Sequence, residues 1–276
     1  MTTEIHPTAV VDDRAELGAG VVLGPHAVVG PGVEIGDRCR LDAGAIVQGP
    51  TRLGTGNRVH SGACIGFDPQ DLKFEGEETR LEVGDDNQFR EHVTVHRGTG
   101  HGGGLTRIGS GNLLMVGAHV AHDCMVGDHT IFANQGTLAG HVEVGDHAVI
   151  GAFSSVHQFC RVGAYAYIGG YSVVTRDALP FVKTVGAKPA CYGLNTIGLE
   201  RRGFGPETLK ALQRAYRILV RSGLPRDRAT EKIRAEIDGG DLPANAHLEA
   251  FLAFVTSSQR GVITDPPGRK RGGRGG

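Results

Sequence analysis

From Ile5 onward an aliphatic or phenylalanine residue returns at every sixth position, a spacing that fits neither an α-helix nor a single β-strand. Ile5, Val11, Leu17, Leu23, Val29, Ile35, Leu41, Val47, Leu53, Val59 and Ile65 share one phase, and Val83, Phe89 and Val95 resume it. After a shift of one residue, Ile108, Leu114, Val120, Val126, Phe132, Leu138, Val144, Ile150, Val156, Val162, Ile168 and Val174 carry the pattern on. None of these 26 hexads has a polar residue at its key position. Glycine often follows the aliphatic residue, as at Gly24, Gly36, Gly127, Gly145 and Gly163, and the fifth position is small, as at Ala27, Ala45, Ala118, Ala148 and Ser172. Short strands with a glycine-assisted corner every six residues close a triangular coil every eighteen and stack their hydrophobes in ladders. The pattern therefore predicts a parallel β-solenoid of about nine coils, roughly 40 Å long at ~4.8 Å per coil.

The repeat is interrupted twice, at about 66–82 and 96–107. The first break keeps the phase and reads as a loop leaving the prism; the second, rich in glycine, reads as an excursion at a corner. No Lys-Ser or Lys-Thr pair follows those glycines, so they do not make a nucleotide P-loop. After Val174 the hexads stop, and Pro180 and Pro189 mark a connector. Pro206 begins a helix whose apolar face is Leu209, Leu212, Tyr216 and Leu219; Ala229, Ile233 and Ile237 suggest a second helix, and Leu248, Phe251, Leu252 and Val255 a third. The expected organisation is a solenoid over 1–190, a helical domain over 191–262, and a Gly/Arg-rich tail over 263–276 that reads as disordered.

Composition narrows the function classes. Among 276 residues there are 44 glycines and only 5% aromatics, as a narrow-cored solenoid requires. A net charge of −1 argues against nucleic acid as a partner. No apolar run is long enough to span a membrane, and Met1-Thr2-Thr3-Glu4 does not open a signal peptide, which together predict a cytoplasmic protein without membrane insertion. Five cysteines, three of them (Cys39, Cys124, Cys160) in the small inward slot, fit core packing in a reducing compartment.

Positions eighteen apart share a prism face, which brings His96, His122, His141 and His157 into register on four successive coils, expected near mid-strand. Asp123 follows His122, and Gly140 precedes His141. A carboxylate orients a neighbouring imidazole as a general base, and a glycine N–H can approach a reacting carbonyl closely enough to stabilise its oxyanion. Base plus oxyanion donor points to acyl transfer onto a hydroxyl or amine. Two alternatives stand beside it: a zinc site of the gamma carbonic anhydrase type, suggested by His119 with His122, and a rigid rod without catalytic function.

Several runs carry a more specific likeness: Gln70-Asp71-Leu72-Lys73-Phe74, His96-Arg97-Gly98-Thr99, Ala118-His119-Val120-Ala121-His122-Asp123-Cys124, Leu138-Ala139-Gly140-His141-Val142, Val156-His157-Gln158-Phe159-Cys160 and Arg201-Arg202-Gly203-Phe204. With them the chain, from about residue 5 to 260, resembles the UDP-N-acetylglucosamine O-acyltransferases of lipid A biosynthesis. The resemblance implies a left-handed β-helix and a cytoplasmic homotrimer with active sites between subunits. It also implies transfer of a 3-hydroxyacyl chain from acyl carrier protein to the 3-hydroxyl of the glucosamine unit, without a cofactor or metal. His122 would be the base, Asp123 its orienting partner and Gly140 the oxyanion donor. Lys73, His96 and His141 would meet the sugar and Asp71 the acyl hydroxyl, with Gln70 and His119 also binding substrate. His157, Gln158, Asn195, Arg201 and Arg202 would hold the uridine diphosphate, and Gly170 would line a channel for a long acyl chain. Ile197 departs from the family pattern, where an acidic residue is expected, and Lys188 replaces a usual histidine. A related N-acyltransferase carries an extra domain ahead of its hexads, whereas here the hexads begin at Ile5. A 3-amino acceptor sugar remains an alternative, because one base could serve either nucleophile.

Overall fold

The computed structural model describes residues 2–267. Each hexad forms a strand of two to four residues whose last aliphatic side chain points inward, and strands eighteen residues apart pair in parallel, as Val22↔Arg40 and Leu23↔Leu41 do. Three sheets of 11, 9 and 8 strands enclose the core. The chain visits them in order, so Val120 lies on the second face, Val126 on the third and Phe132 on the first. The fold is a left-handed parallel β-helix with a small helical C-terminal region.

Buried polar side chains form hydrogen-bonded sets inside the corners, Ser154 and Ser172 between the first and second faces and a longer ladder between the third and first. The Asn57 Oδ1 accepts from the Asn87 side chain at 2.9 Å, the Asn87 Oδ1 from the Asn112 N–H at 2.9 Å, and the Asn112 Oδ1 from the Thr130 hydroxyl at 2.7 Å. The ladder spans the coils that carry the two interruptions, and it satisfies backbone groups that would otherwise be buried without partners.

The outward residues differ sharply between faces. On the third face the outward residues are Glu16, Glu34, Arg52, Glu82, Arg107, Met125, Glu143 and Arg161, all charged except Met125, with Arg107 paired to Glu82 at 2.7 Å. On the other two faces the outward strand positions include Val28 and Ile46, and Leu113, Ile131 and Val149, all of them half-buried in the single chain.

Both interruptions leave at the corner between the second and third faces. The strands run further into them than the hexads suggest, Cys64–Phe67 and Arg80–Val83 flanking the first, Thr94–His96 and Leu105–Ile108 the second. The stretch after Val174 is also more ordered than a connector. Val182–Val185 adds to the first sheet in parallel and turns back antiparallel as Ala190–Leu194. A short helix α1, Thr196–Glu200, follows, then α2 (Pro206–Tyr216), which ends in a π-helical turn through Arg221, α3 (Arg226–Asp238) and α4 (Ala246–Thr256). The helices thus begin at Thr196 rather than 191.

The tail is held further than expected: Ile263 is fully buried, and Asp265 pairs with Arg176 at 2.5 Å. The basic residues Arg269 to Arg274 lie outside the described residues. No helix among the described residues is long and apolar enough to cross a membrane. All five cysteines are free thiols, and burial pushes Cys124 and Cys191 up to about 12.

The asparagine ladder gives a stability prediction. Asn87→Ala orphans the buried Asn112 N–H and removes a donor to Asn57, so unfolding in denaturant should show a loss of about 2–4 kcal/mol.

Candidate active site

The histidines do not lie at mid-strand as a column. The strands end at the key aliphatic residue, so the next four residues form the corner. His122, Gly140 and Gln158 stack at one position of the turn between the second and third faces, and Asp123, His141 and Phe159 stack at the next. Those last three take φ of 59°, 60° and 62°, the left-handed conformation that swings their side chains outward at the turn. His96 and His119 lie within second-face strands on neighbouring coils.

Asp123 is the anchor. Its Oδ2 accepts from the Thr99 hydroxyl at 2.7 Å and lies 2.7 Å from the His122 Nδ1, its Oδ1 accepts from the Thr99 N–H at 2.9 Å, and its own N–H donates to the Thr106 hydroxyl at 2.8 Å. Burial pushes the Asp123 carboxyl up, but hydrogen bonds from His122 and Thr99 outweigh it and hold it below the ordinary value. An ionised Asp123 keeps the proton of His122 on Nδ1 and leaves Nε2 as the free lone pair, facing outward.

Gly140 sits directly over that ring. A Cβ at this position would lie 2.5 Å from the His122 Cε1, so any side chain would displace the imidazole. The Gly140 N–H meets no backbone acceptor among the described residues. Around His122 opens a cleft of about 620 Å³, lined by Gln70, Asp71 and Lys73 from the first excursion, His101 and Gly102 from the second, and His141, Gln158 and Phe159 from the coils. His101 bridges the excursions, its Nε2 3.3 Å from the Asp71 carboxylate. His157 stands at the rim. Beneath the cleft the rings of His96 and His119 meet edge to face at 5.2 Å, and the buried His96 Nδ1 has no partner.

The other expected residues lie elsewhere on the same chain. Gly170 is at the corner between the first and second faces, beside Tyr171. Asn195 donates to the Tyr165 carbonyl at 3.2 Å, and the Arg202 guanidinium lies 2.7 Å from the His147 Nδ1, so α1 and Arg201 sit at the third corner, between the third and first faces. Ile197 is 65% exposed there.

Thr99, His101 and Phe159 have no role assigned from the sequence, although Thr99 and Phe159 fall within the quoted runs. Phe159 was within reach, since it falls eighteen residues beyond His141, whose ring it stacks upon at 4.4 Å. Thr99 and His101 belong to an excursion without a period and had no positional signal. Among the described residues the group whose atoms come close enough for a metal is His122, Asp123 and His141, whereas the His119 Nδ1 lies 2.7 Å from the Thr94 hydroxyl. That carboxylate is already occupied by the Thr99 and His122 donors, and the His141 ring is stacked, so the set suits proton transfer better than coordination.

The chain is similar to known proteins along nearly its whole length. Family profiles described as "Udp N-acetylglucosamine O-acyltransferase; Domain 2" and "Bacterial transferase hexapeptide (six repeats)" match residues 177–263 and 141–176. An acyl-[acyl-carrier-protein]--UDP-N-acetylglucosamine O-acyltransferase of Syntrophobacter fumaroxidans is 48% identical over 261 residues, 94% of this chain and 99% of the relative. The Acinetobacter baumannii structure of the enzyme called LpxA superposes with a TM-score of 0.90 at 41% identity, covering 94% of this chain and 99% of that one. The UDP-N-acetylglucosamine acyltransferase structure from Francisella novicida gives a TM-score of 0.90 at 34% identity, covering 96% and 95%.

The buried histidines set a pH dependence. Burial, with the charges of His96 and His122, pushes His119 from 6.5 down to about 4. The unfolded chain therefore takes up this proton first, and stability present in full above pH 6.5 falls as the pH drops toward 4. Thermal unfolding across that window should show a falling midpoint, and His119→Gln should make the fall shallower.

Proposed function

The chain belongs to the UDP-N-acetylglucosamine O-acyltransferase family, and from that premise we propose how its own residues carry out the reaction. The enzyme moves a 3-hydroxyacyl group from acyl carrier protein to the 3-hydroxyl of the glucosamine unit of UDP-N-acetylglucosamine, in lipid A biosynthesis. The observation that carries the mechanism is the Asp123–His122 pair beneath the Gly140 N–H.

The His122 Nε2 takes the proton of the sugar 3-hydroxyl as its oxygen attacks the thioester carbonyl. The new oxyanion is met by the free Gly140 N–H. As the tetrahedral intermediate collapses, the C–S bond breaks, the ester C–O bond remains, and the departing thiolate takes the proton back from His122. Asp123 stabilises the imidazolium between these steps. No metal or redox group is needed to balance the reaction. Asp71 and Lys73 from the first excursion, with Gln70, His96, His119 and His141, are assigned to the acyl hydroxyl and the sugar. The unpartnered His96 Nδ1 supports that assignment, because a bound polar group would satisfy it.

The division of the remaining residues between corners supports a homotrimer. In a threefold assembly with the corner between the first and second faces at the axis, the apolar stretch Leu113, Ile131 and Val149 of one subunit's first face covers the second face of the next. The charged third face stays in solvent. The stacked, exposed pair Phe153 and Tyr171 then lies at the axis. The corner bearing Asn195, Arg201 and Arg202 comes beside the neighbour's His122 corner, where His157 and Gln158 complete the grip on the uridine diphosphate. The acyl chain runs between the faces toward Gly170. Both substrates are water-soluble, and the reading sets the enzyme in the cytoplasm.

Mass analysis of products from UDP-N-acetylglucosamine and a ladder of 3-hydroxyacyl carrier proteins tests the assignment. His122→Ala should lower kcat by about 100- to 10,000-fold, and Gly140→Ala should be similarly damaging through the displaced ring. Donors of about fourteen carbons should outrun those of about ten if Gly170 leaves the channel open. Loss of activity on chelation would favour the zinc reading instead.

The carrier protein is acidic and needs a basic surface. Lys210, Arg217 and Arg221 are exposed along α2 and its π-helical turn, whereas Arg214 is engaged by Glu236 at 2.5 Å. Charge reversal at Arg217 and Arg221 should raise the KM for the acyl carrier and flatten its salt dependence; unchanged kinetics would remove this surface from the docking account.

A further inference from the structure

A column of rings climbs the corner between the third and first faces. His129 stacks under His147 at 5.0 Å and 8°, Tyr165 covers His147 at 4.7 Å and 29°, and Phe181 continues above at 5.7 Å. Held from both sides, the His147 ring has little freedom to turn. Its Nδ1 lies 2.7 Å from the Arg202 Nη1. A guanidinium can only donate, so this nitrogen is the acceptor and the His147 proton resides on Nε2.

Arg202 lies just beyond α1, in a segment fastened at two points. The Phe204 N–H returns to the Leu199 carbonyl at 3.1 Å, and the Phe204 ring meets Tyr165 edge to face at 5.0 Å. The backbone is therefore fixed, while the Arg202 side chain is exposed and retains its own rotational freedom unless something holds it.

We propose that His147 is a positioning residue for the nucleotide sugar: its unprotonated Nδ1 accepts from Arg202 and holds the guanidinium ready for the diphosphate. The inference rests on the assignment of Arg202 to the diphosphate given above. It adds to that assignment a residue on a coil whose ring makes no contact with the reacting atoms. Ordering the arginine before the ligand arrives lowers the entropy lost on binding.

The groups facing His147 are His129 and Tyr165 on the adjacent coils, Asp128 and Asp146 at the corner, and Arg202 from the end of α1. Burial and the Arg202 charge push the His147 pKa down against the pull of the two aspartates. The ring thus stays a neutral acceptor near pH 7. As the pH falls through the lowered value, a proton on Nδ1 removes the acceptor and sets two cations against each other.

Steady-state kinetics on the intact enzyme test this with three variants. His147→Phe keeps a ring in the column and removes the acceptor; His147→Asn restores an acceptor near the same place; Arg202→Ala removes the arginine. His147→Phe should raise the KM for UDP-N-acetylglucosamine about three- to tenfold, leaving kcat, the KM for the acyl carrier and the thermal midpoint unchanged. His147→Asn should recover most of the loss, and His147→Phe should add nothing in the Arg202→Ala background. The acid-side rise in this KM should vanish in His147→Phe. If Arg202→Ala raises the KM while His147→Phe matches the parent, the positioning role is wrong and the Arg202 assignment stands. If Arg202→Ala itself leaves the KM unchanged, the assignment fails and the inference falls with it. A joint change in kcat, both KM values and the thermal midpoint on His147→Phe would make the residue merely structural and overturn the proposal.

Discussion

A coil that closes in eighteen residues gives each face two strand residues and each corner four, and it leaves inside only enough room for an aliphatic and a small side chain per hexad. Polar side chains enter the prism mainly where they can bond to one another and to the turns' backbone, as along Asn57, Asn87 and Asn112. Polar chemistry otherwise collects at the corners, where the chain turns and side chains point out. Stacking then places residues of successive coils about 4.8 Å apart without any further design. His122, Gly140 and Gln158 are one such column, and Asp123, His141 and Phe159 the next. The imidazole, its carboxylate partner and the glycine N–H proposed for the reaction come from two adjacent turns of one rigid scaffold, whose geometry is set by hydrophobic packing rather than by those groups.

What the bare column lacks is a reason for a carboxylate to remain ionised in a half-dry place. The second excursion supplies it. Thr99 turns both its N–H and its hydroxyl onto Asp123, and Gly102 sits so close to that carboxylate that a side chain there would collide with it. The first excursion is then pinned to the second through Asp71 and His101. Both leave from the one corner that carries His122, so each departure from the repeat adds a wall to the same cleft.

The solenoid was legible because its rule is periodic: a single spacing specifies strand, corner and inward face at once. The histidine alignment was legible for the same reason, although the placement near mid-strand was off by half a face, since the key aliphatic residue ends its strand. Where the period fails, so did the reading. Val182–Val185 and Ala190–Leu194 bury Val182, Cys191 and Leu194 without a six-residue spacing, and α1 is too short for a helical repeat to show. Ile263 is one buried side chain in a polar, glycine-rich end, and composition alone counted it with the tail. The grip of Thr99 on Asp123 depends on a path through an aperiodic loop, which only coordinates reveal.

The same periodicity that builds the His122 corner also keeps Arg201 and Arg202, proposed here for the diphosphate, away from it. A side chain of the third corner cannot cross a face of the prism, and the prism is too rigid to bend a corner inward. The separation is an obstacle only for a single chain. Around the proposed threefold axis, successive subunits bring unlike corners together, and the apolar stretches of the two faces that meet there would also be walls for an acyl chain. Burial of Leu113, Ile131 and Val149 against a neighbour would serve stability and substrate binding with one surface. In the proposed trimer, assembly and catalysis are two consequences of how hydrophobic residues are shared out among three faces: the charged face stays in solvent, and the site forms where the other two meet.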